Sequence, residues 1–444
     1  MARARRDIPY TDPLTAFAPF KDQPHALLLH GAGAHPQARW SFAAPDPKDP
    51  LVIADKRAPD AIMQAMRALL RPYRSVDDAP FTSGFAGFFA YEFGALFEPA
   101  MPQRAPDGPF AALARHETII AFDHHAQRAF VTGPDDRIVD EVAQVVTSAP
   151  AAAPAPADGR ILAMTPAGTF AAQVDAVRAH IRAGDVFQAN ISRAATGLLG
   201  RGCHPYDFFR RLQTISPAPF SAYLRLPGAA IVSNSPERLA RAHVDRDGRL
   251  HAQTAPIKGT RPRGADAEED RRLIQALLAS EKERAENLMI VDLMRNDFAR
   301  VAAAGTVRVP GLFDVETFAN VHHLVSRVTA TLLPDRDAFD LLRSVFPAGS
   351  ITGAPKIMAM TIIDALEGAA RSANYGGIGW FGDDGAMDLN VSIRTATCEP
   401  EGDDWRVSFR VGGGITIDSD PWAEAAETDA KARSLIAAMT GVAR

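Results

Sequence analysis

Apolar and polar positions change rhythm along this chain, and each change predicts an element. In "TFAAQVDAVRAHIRAGD", Phe170, Val174, Val177 and Ile181 recur at helical spacing, and Gly184 supplies the stop. "DAIMQAMRALL" predicts an earlier helix, and stretches 335–346, 355–367 and 421–440 predict later ones. One long helix is predicted over 266–297, "DAEEDRRLIQALLASEKERAENLMIVDLMRND". Strand-like runs include "HALLLHGAG", "LVIAD", "FTSGFAGFFAYEFG", "VFQANISRAATGLL" and "FSAYLRLPGAAIVSNSPE". "RLARAHVDRDGRLHAQTAPI" reads as a hairpin, with Asp247-Gly248 as its tight turn. "GGIGWFG", "MDLNVSIRTATCE" and "WRVSFRVGGGITI" are late strands. Long antiparallel-looking strands with helices inserted between them predict an α+β fold, not a repeating βαβ sheet.

Composition adds limits. A chain of 444 residues is longer than one hydrophobic core usually serves, so two lobes are expected. The Pro/Ala stretch 147–160 predicts a linker between an N-terminal region, 1–146, and a larger one, 161–444. Apolar content of 47% and net charge of −5 with mixed signs give no general attraction to nucleic acid or membrane. No run reaches the ~20 apolar residues of a membrane helix, and the basic start is not followed by an apolar segment. A cytoplasmic protein is expected. Cys203 and Cys398 alone build no disulfide framework and no metal cluster.

Several stretches carry candidate chemistry. Lys258 in "APIKGTRPRG" follows Pro256 and Ile257, which favour desolvation, and precedes Arg261 and Arg263, which add like charge. Both influences lower an amine's pKa toward nucleophilicity; an exposed loop cation is the plainer reading. Glu283/Glu286 and Glu424/Glu427 each have i, i+3 spacing, so each pair shares a helix face. Two such faces meeting would suit Mg²⁺, although most glutamates so spaced are solvated. Gly412, Gly413 and Gly414 end a strand and offer side-chain-free N–H groups for an anion. "FPAGSITGAPK" is a second Gly/Ser/Thr loop opening a helix. Glu237, Arg394 and the pair His322-His323 sit at the ends of strand-like runs, where a polar residue is as often structural as functional.

Together, "DVFQANISR", "SNSPERL", "PIKGTRPRG", "RAENLMIVDLMRND", "VHHLVSRV", "PAGSITGAPK", "MDLNVSIRT" and "GGGITIDSD…EAAETDAKA" closely resemble the chorismate-utilising enzymes. That family includes the large subunits of anthranilate and aminodeoxychorismate synthases and the isochorismate and salicylate synthases. The likeness runs from about residue 165 to the C-terminus, with a weaker N-terminal match around "ALLLHGAGAHPQARWSF". It implies a two-lobed antiparallel β-sandwich with helices outside, like anthranilate synthase component I, and a chorismate-binding catalytic domain over 161–444. It further implies Mg²⁺ on Glu286 and Glu427, with Glu283 and Glu424 acting through water. Glu237 matches the general acid for the departing hydroxyl, and His323 an active-site histidine. Thr260, Arg394, Lys431 and Gly412 to Gly414 match substrate-binding positions, and the family's active-site tyrosine falls near Asn374-Tyr375.

Two positions choose a branch. Gln188 stands where isochorismate and salicylate synthases carry a water-activating lysine, which disfavours water addition. Lys258 resembles the aminodeoxychorismate synthase branch, in which this lysine bonds to C2 of chorismate before ammonia adds at C4. Neither cysteine lies in a Gly-x-Cys-x-Gly context, so ammonia is expected from a separate glutamine amidotransferase subunit, component II. An anthranilate synthase large subunit is the alternative enzyme. A non-catalytic chorismate- or tryptophan-binding regulatory subunit is the alternative of a different class. "LLLHGAG" lacks the Leu-Leu-Glu-Ser stretch of tryptophan-inhibited relatives, which speaks against feedback control.

Overall fold

In a computed structural model that describes residues 3–33, 35–73, 79–317 and 321–442, two large sheets face each other. The first runs Ala4–Ile8, Arg128–Gly133, Ile119–Asp123, Trp40–Ala44, Leu27–His30, Phe220–Leu226, Ala229–Ser235, Thr395–Glu401, Asp404–Ile415, Gln188–Leu199, Gly353–Ala354. The second runs Ile257–Pro262, Val321–Thr331, Leu250–Thr254, Arg238–Val244, Met387–Asn390, Gly377–Gly382, Gly84–Phe89, Ala111–His116, Pro47–Ile53. Each described pairing in both sheets is antiparallel. Residues before 147 and after 160 contribute to both, joined at Leu27–His30 with Phe220–Leu226 and at Gly84–Phe89 with Gly377–Gly382.

Apolar side chains explain why the sheets stack. Leu27, Phe42, Leu224 and Ile231 of one sheet bury against Phe88, Ala112, Ile378 and Trp380 of the other. The outer faces are covered by helices: Ala338–Val345 and Glu281–Ala299 on the second sheet, Pro205–Ile215 and Pro421–Thr440 on the first. A strand buried on both faces reads as a near-continuous apolar run, as "GFAGFF" does. The α+β sandwich expectation is met.

Two predicted elements divide. The long helix over 266–297 is two helices, Ala267–Ala279 and Glu281–Ala299. Ser280 between them is extended, and its side chain accepts from the Glu283 N–H, capping the second. "MDLNVSIRTATCE" is likewise two strands in different sheets, Met387–Asn390 and Thr395–Glu401. The chain crosses between sheets through Arg394, whose φ of 50° lies in the left-handed region. Among the described residues, no helix is long and apolar enough to cross a membrane.

Candidate active site

A cavity of about 1020 Å³ is lined by strands of both sheets and by helices Glu281–Ala299 and Pro421–Thr440. Every residue given a role above lines it: Lys258, Glu237, His323, Thr260, Arg394 and Lys431; Gly412 to Gly414; and Glu283, Glu286, Glu424 and Glu427. Of the pair Asn374-Tyr375, Tyr375 lines it.

Lys258 owes its direction to a bulge. Ile257 pairs with Val325 and Thr260 with His323, so one extra residue is accommodated around Lys258-Gly259. Gly259 takes a φ of 84°, which a side chain would strain. A β-carbon placed on Gly414 would lie 2.3 Å from Gln188 Nε2 and 3.1 Å from Lys258 Nζ. That bare position lets both side chains pack against the strand Asp404–Ile415. The glycines are therefore strand positions, paired with Ser192, Ile191 and Asn190, not a turn.

Burial lowers the Lys258 pKa, and Lys431 adds to the effect, while Glu286, Glu237 and Glu427 oppose it. The repelling cation is thus Lys431, not Arg261 or Arg263. Arg261 Nη1 donates to Glu283 Oε1 at 2.7 Å, and Arg263 Nε donates to Asp270 Oδ2 at 2.9 Å. Each of these guanidiniums is paired with a carboxylate, and neither is among the charges that act on the amine.

Glu237 follows the strand Ala229–Ser235, and its backbone N–H donates to Ser235 Oγ at 3.2 Å. Burial raises its carboxyl pKa, opposed by the nearby Ser350 hydroxyl and the charge of Lys258. His323 Nδ1 lies 2.9 Å from Thr260 Oγ1. Burial, then Arg394, pushes His323 down to about 4, so its imidazole is neutral at neutral pH.

The two acidic pairs come from facing helices and influence each other. Burial raises Glu286, with Lys258 and Lys282 opposing and Glu424 and Glu283 reinforcing. Burial and Glu427 raise Glu424, whose Oε1 accepts from Ser419 Oγ at 2.7 Å. At Glu427 burial is outweighed by Lys431, 2.8 Å away, and its carboxyl falls below the ordinary value. Glu283 Oε2 is buried without a hydrogen-bond partner. All-oxygen donors and an orphaned carboxylate oxygen fit a hard cation. Among the described residues, no three acidic, histidine or cysteine side chains are already gathered as a ligand group. The fit is to an ion that keeps much of its own water.

Sequence reasoning missed a second charged wall. Arg410 lines the cavity, its Nε donating to Ser192 Oγ at 2.9 Å and its Nη2 to Glu367 Oε2 at 2.8 Å. Tyr375, at a φ of 66°, buries a hydroxyl with no partner at hydrogen-bonding geometry. Arg371 stacks between the rings of Tyr91 and Tyr375, 4.8 and 4.6 Å from their centroids. Strand alternation carried a signal: Arg410 stands two and four positions before Gly412 and Gly414, on the same face.

A second cavity of about 560 Å³ lies against His30, Trp40 and Trp380 and shares none of these residues. Both cysteines are buried, with thiol pKa values raised by that burial.

A model of the chorismate binding enzyme family matches residues 19–437. Aminodeoxychorismate synthase component 1 of Klebsiella aerogenes is 38% identical over 441 residues, covering 95% of each chain. Anthranilate synthase component 1 of Streptomyces coelicolor is 38% identical over 455 residues, covering 96% of this chain and 86% of that one. The crystal structure of anthranilate synthase component I from Streptococcus pneumoniae superposes with a TM-score of 0.76 at 28% identity, covering 98% of this chain and 100% of its own.

Proposed function

We propose that this chain, which belongs to the chorismate binding enzyme family, aminates chorismate at C4 to give 4-amino-4-deoxychorismate, the precursor of p-aminobenzoate and folate. The observation that carries the reading is Lys258: a bulged strand aims it into the cavity among Glu237, Glu286 and Lys431, with its pKa lowered.

The neutral amine of Lys258 attacks C2, both double bonds of the ring diene shift, and the C4 hydroxyl leaves with a proton from Glu237 as water. Ammonia then bonds to C4 and both double bonds shift back. Lys258 is expelled as a free amine, and the proton released from the new C–N centre returns to Glu237. Chorismate and ammonia thus become product and water, and the enolpyruvyl group stays in place. Burial raises the Glu237 carboxyl, which favours the protonated form this requires.

Arg410 and Tyr375 offer an unpaired guanidinium edge and an unpaired hydroxyl to one carboxylate of chorismate. Thr260, Arg394 and neutral His323 orient the ring, with Lys431 and the bare Gly412 to Gly414 at its edge. Glu286 and Glu427 would hold Mg²⁺, with Glu283 and Glu424 behind them through water. The ion would supply positive charge for the other carboxylate.

The name component 1 belongs to a relative that implies a second component. With both cysteines buried and outside a glutaminase context, the ammonia donor for this chain is a glutamine amidotransferase partner.

Anthranilate synthase is the second reading, because that relative is equally similar in sequence. Chromatography of the purified chain with chorismate, Mg²⁺ and ammonium salt separates the two. Expected is 4-amino-4-deoxychorismate without pyruvate release, and no turnover when glutamine replaces ammonium. Fluorescent anthranilate with stoichiometric pyruvate would overturn the assignment.

A further inference from the structure

Behind the cavity wall, one carboxylate is more heavily bonded than any the proposed chemistry uses. Glu367 is the last residue of helix Lys356–Glu367, and its side chain is 1% exposed. Oε1 accepts from Arg371 Nη2 at 2.7 Å, from the Ser192 N–H at 2.8 Å and from Ser192 Oγ at 2.7 Å. Oε2 accepts from Arg371 Nε at 3.0 Å and from Arg410 Nη2 at 2.8 Å. Burial alone would raise this carboxyl, but Arg371 and Arg410 bring it below its ordinary value.

These bonds converge on a cavity wall. Ser192, held by Glu367, is also the acceptor for Arg410 Nε, so two of the guanidinium's three nitrogens are fixed by one carboxylate and its neighbour. Arg371 is fixed further by the carbonyls of Ile351, at 2.9 Å, and Asn190, at 2.6 Å, and it carries the ring of Tyr375 on its face. Two cations against one buried anion leave one positive charge at the wall.

We propose that Glu367 is a positioning residue: it holds Arg410 in place, and Tyr375 through Arg371, so that a substrate carboxylate meets a fixed cationic edge. This rests on the reading that the cavity takes chorismate. Pre-organisation of this kind acts on binding, because the carboxylate is present in substrate and transition state alike. The effect belongs in KM and Kd, with little in kcat.

The test is a double-mutant cycle on the full chain, with chorismate Kd by calorimetry, steady-state kinetics with ammonium, and thermal melting of each variant. Glu367→Gln is expected to raise Kd and KM roughly ten- to a hundredfold, the scale of a lost charged hydrogen bond, with kcat within about threefold. Added to Arg410→Gln, it should cost less than about twofold more; added to Arg394→Gln, its effect should multiply in full. A merely structural role would lower the melting temperature and multiply with both. Unchanged Kd in a folded Glu367→Gln, or full multiplication with Arg410→Gln, overturns the proposal. If Glu367→Gln does not fold, Ser192→Ala removes the shared hydroxyl without stranding a charge. It should raise Kd alone and not on Arg410→Gln, and an unchanged Kd again overturns the proposal. Wild-type chain that binds no chorismate would remove the functional reading and this inference together.

Discussion

The cavity has two charged walls held under opposite conditions. At one, Glu367 receives five hydrogen bonds and two guanidiniums, and it ionises more readily than usual despite complete burial. At the other, Glu286 lies beside Glu283 and Glu424, the Lys282 ammonium stands 4.0 Å from it, and burial raises its carboxyl. The difference separates scaffold from site. Charges that satisfy one another fix geometry, whereas carboxylates that crowd one another would be relieved by a cation, as the proposed site requires.

The sharpest way to break this contrast is to neutralise the crowded wall. Glu286, with its side chain 16% exposed, is a better target than Glu427 at 56%, where solvent screening weakens any effect. Glu286→Gln should cost about 2–3 kcal/mol in kcat/KM, roughly 30- to 150-fold. Mg²⁺ should raise the melting temperature of wild type, and that rise should shrink in Glu286→Gln. Full activity in EDTA, or equal Mg²⁺ shifts in both proteins, would remove the metal from the account.

A smaller effect sharpens it. The proposed reaction needs Lys258 neutral and Glu237 protonated, so kcat/KM against pH should be bell-shaped. The amine's pKa is below 10.5 and the acid's above 4.5, so both limbs should lie inside those values. Lys431 is the like charge that depresses the amine, so Lys431→Met should move the alkaline limb upward while Arg263→Met leaves it in place. A limb that follows Arg263 instead would contradict the electrostatic assignment.

Much of this was legible in the sequence, for physical reasons. Helical spacing gave Ala167–Ala183 and its Gly184 stop, and motif order gathered Lys258, Glu237 and the four glutamates that do line one cavity. Ser280 was not legible as a break, because helix-forming residues flank a single side chain whose capping depends on local backbone geometry. The sheet crossing at Arg394 hides inside an alternating run, since its turn comes from one left-handed residue rather than from glycine or proline. Glu367 and Arg371 read as an ordinary i, i+4 pair, and only the fold brings Arg410 and Ser192 to them. The bulge at Lys258-Gly259 likewise needs the partner strand to be seen.

The central claim is that Lys258 is a nucleophile and not a holder of charge. A free lysine with a pKa of ~10.4 is only ~0.1% neutral at pH 7.5, and the burial that lowers the Lys258 pKa acts in the direction attack requires. Chorismate supplied without ammonia, followed by acid quench and peptide mass spectrometry, tests this directly. The account predicts chorismate less one water attached to Lys258, and no adduct and less than about a thousandth of the activity in Lys258→Arg, whose guanidinium stays protonated. An unmodified Lys258 in wild type together with an active Lys258→Arg enzyme would contradict it.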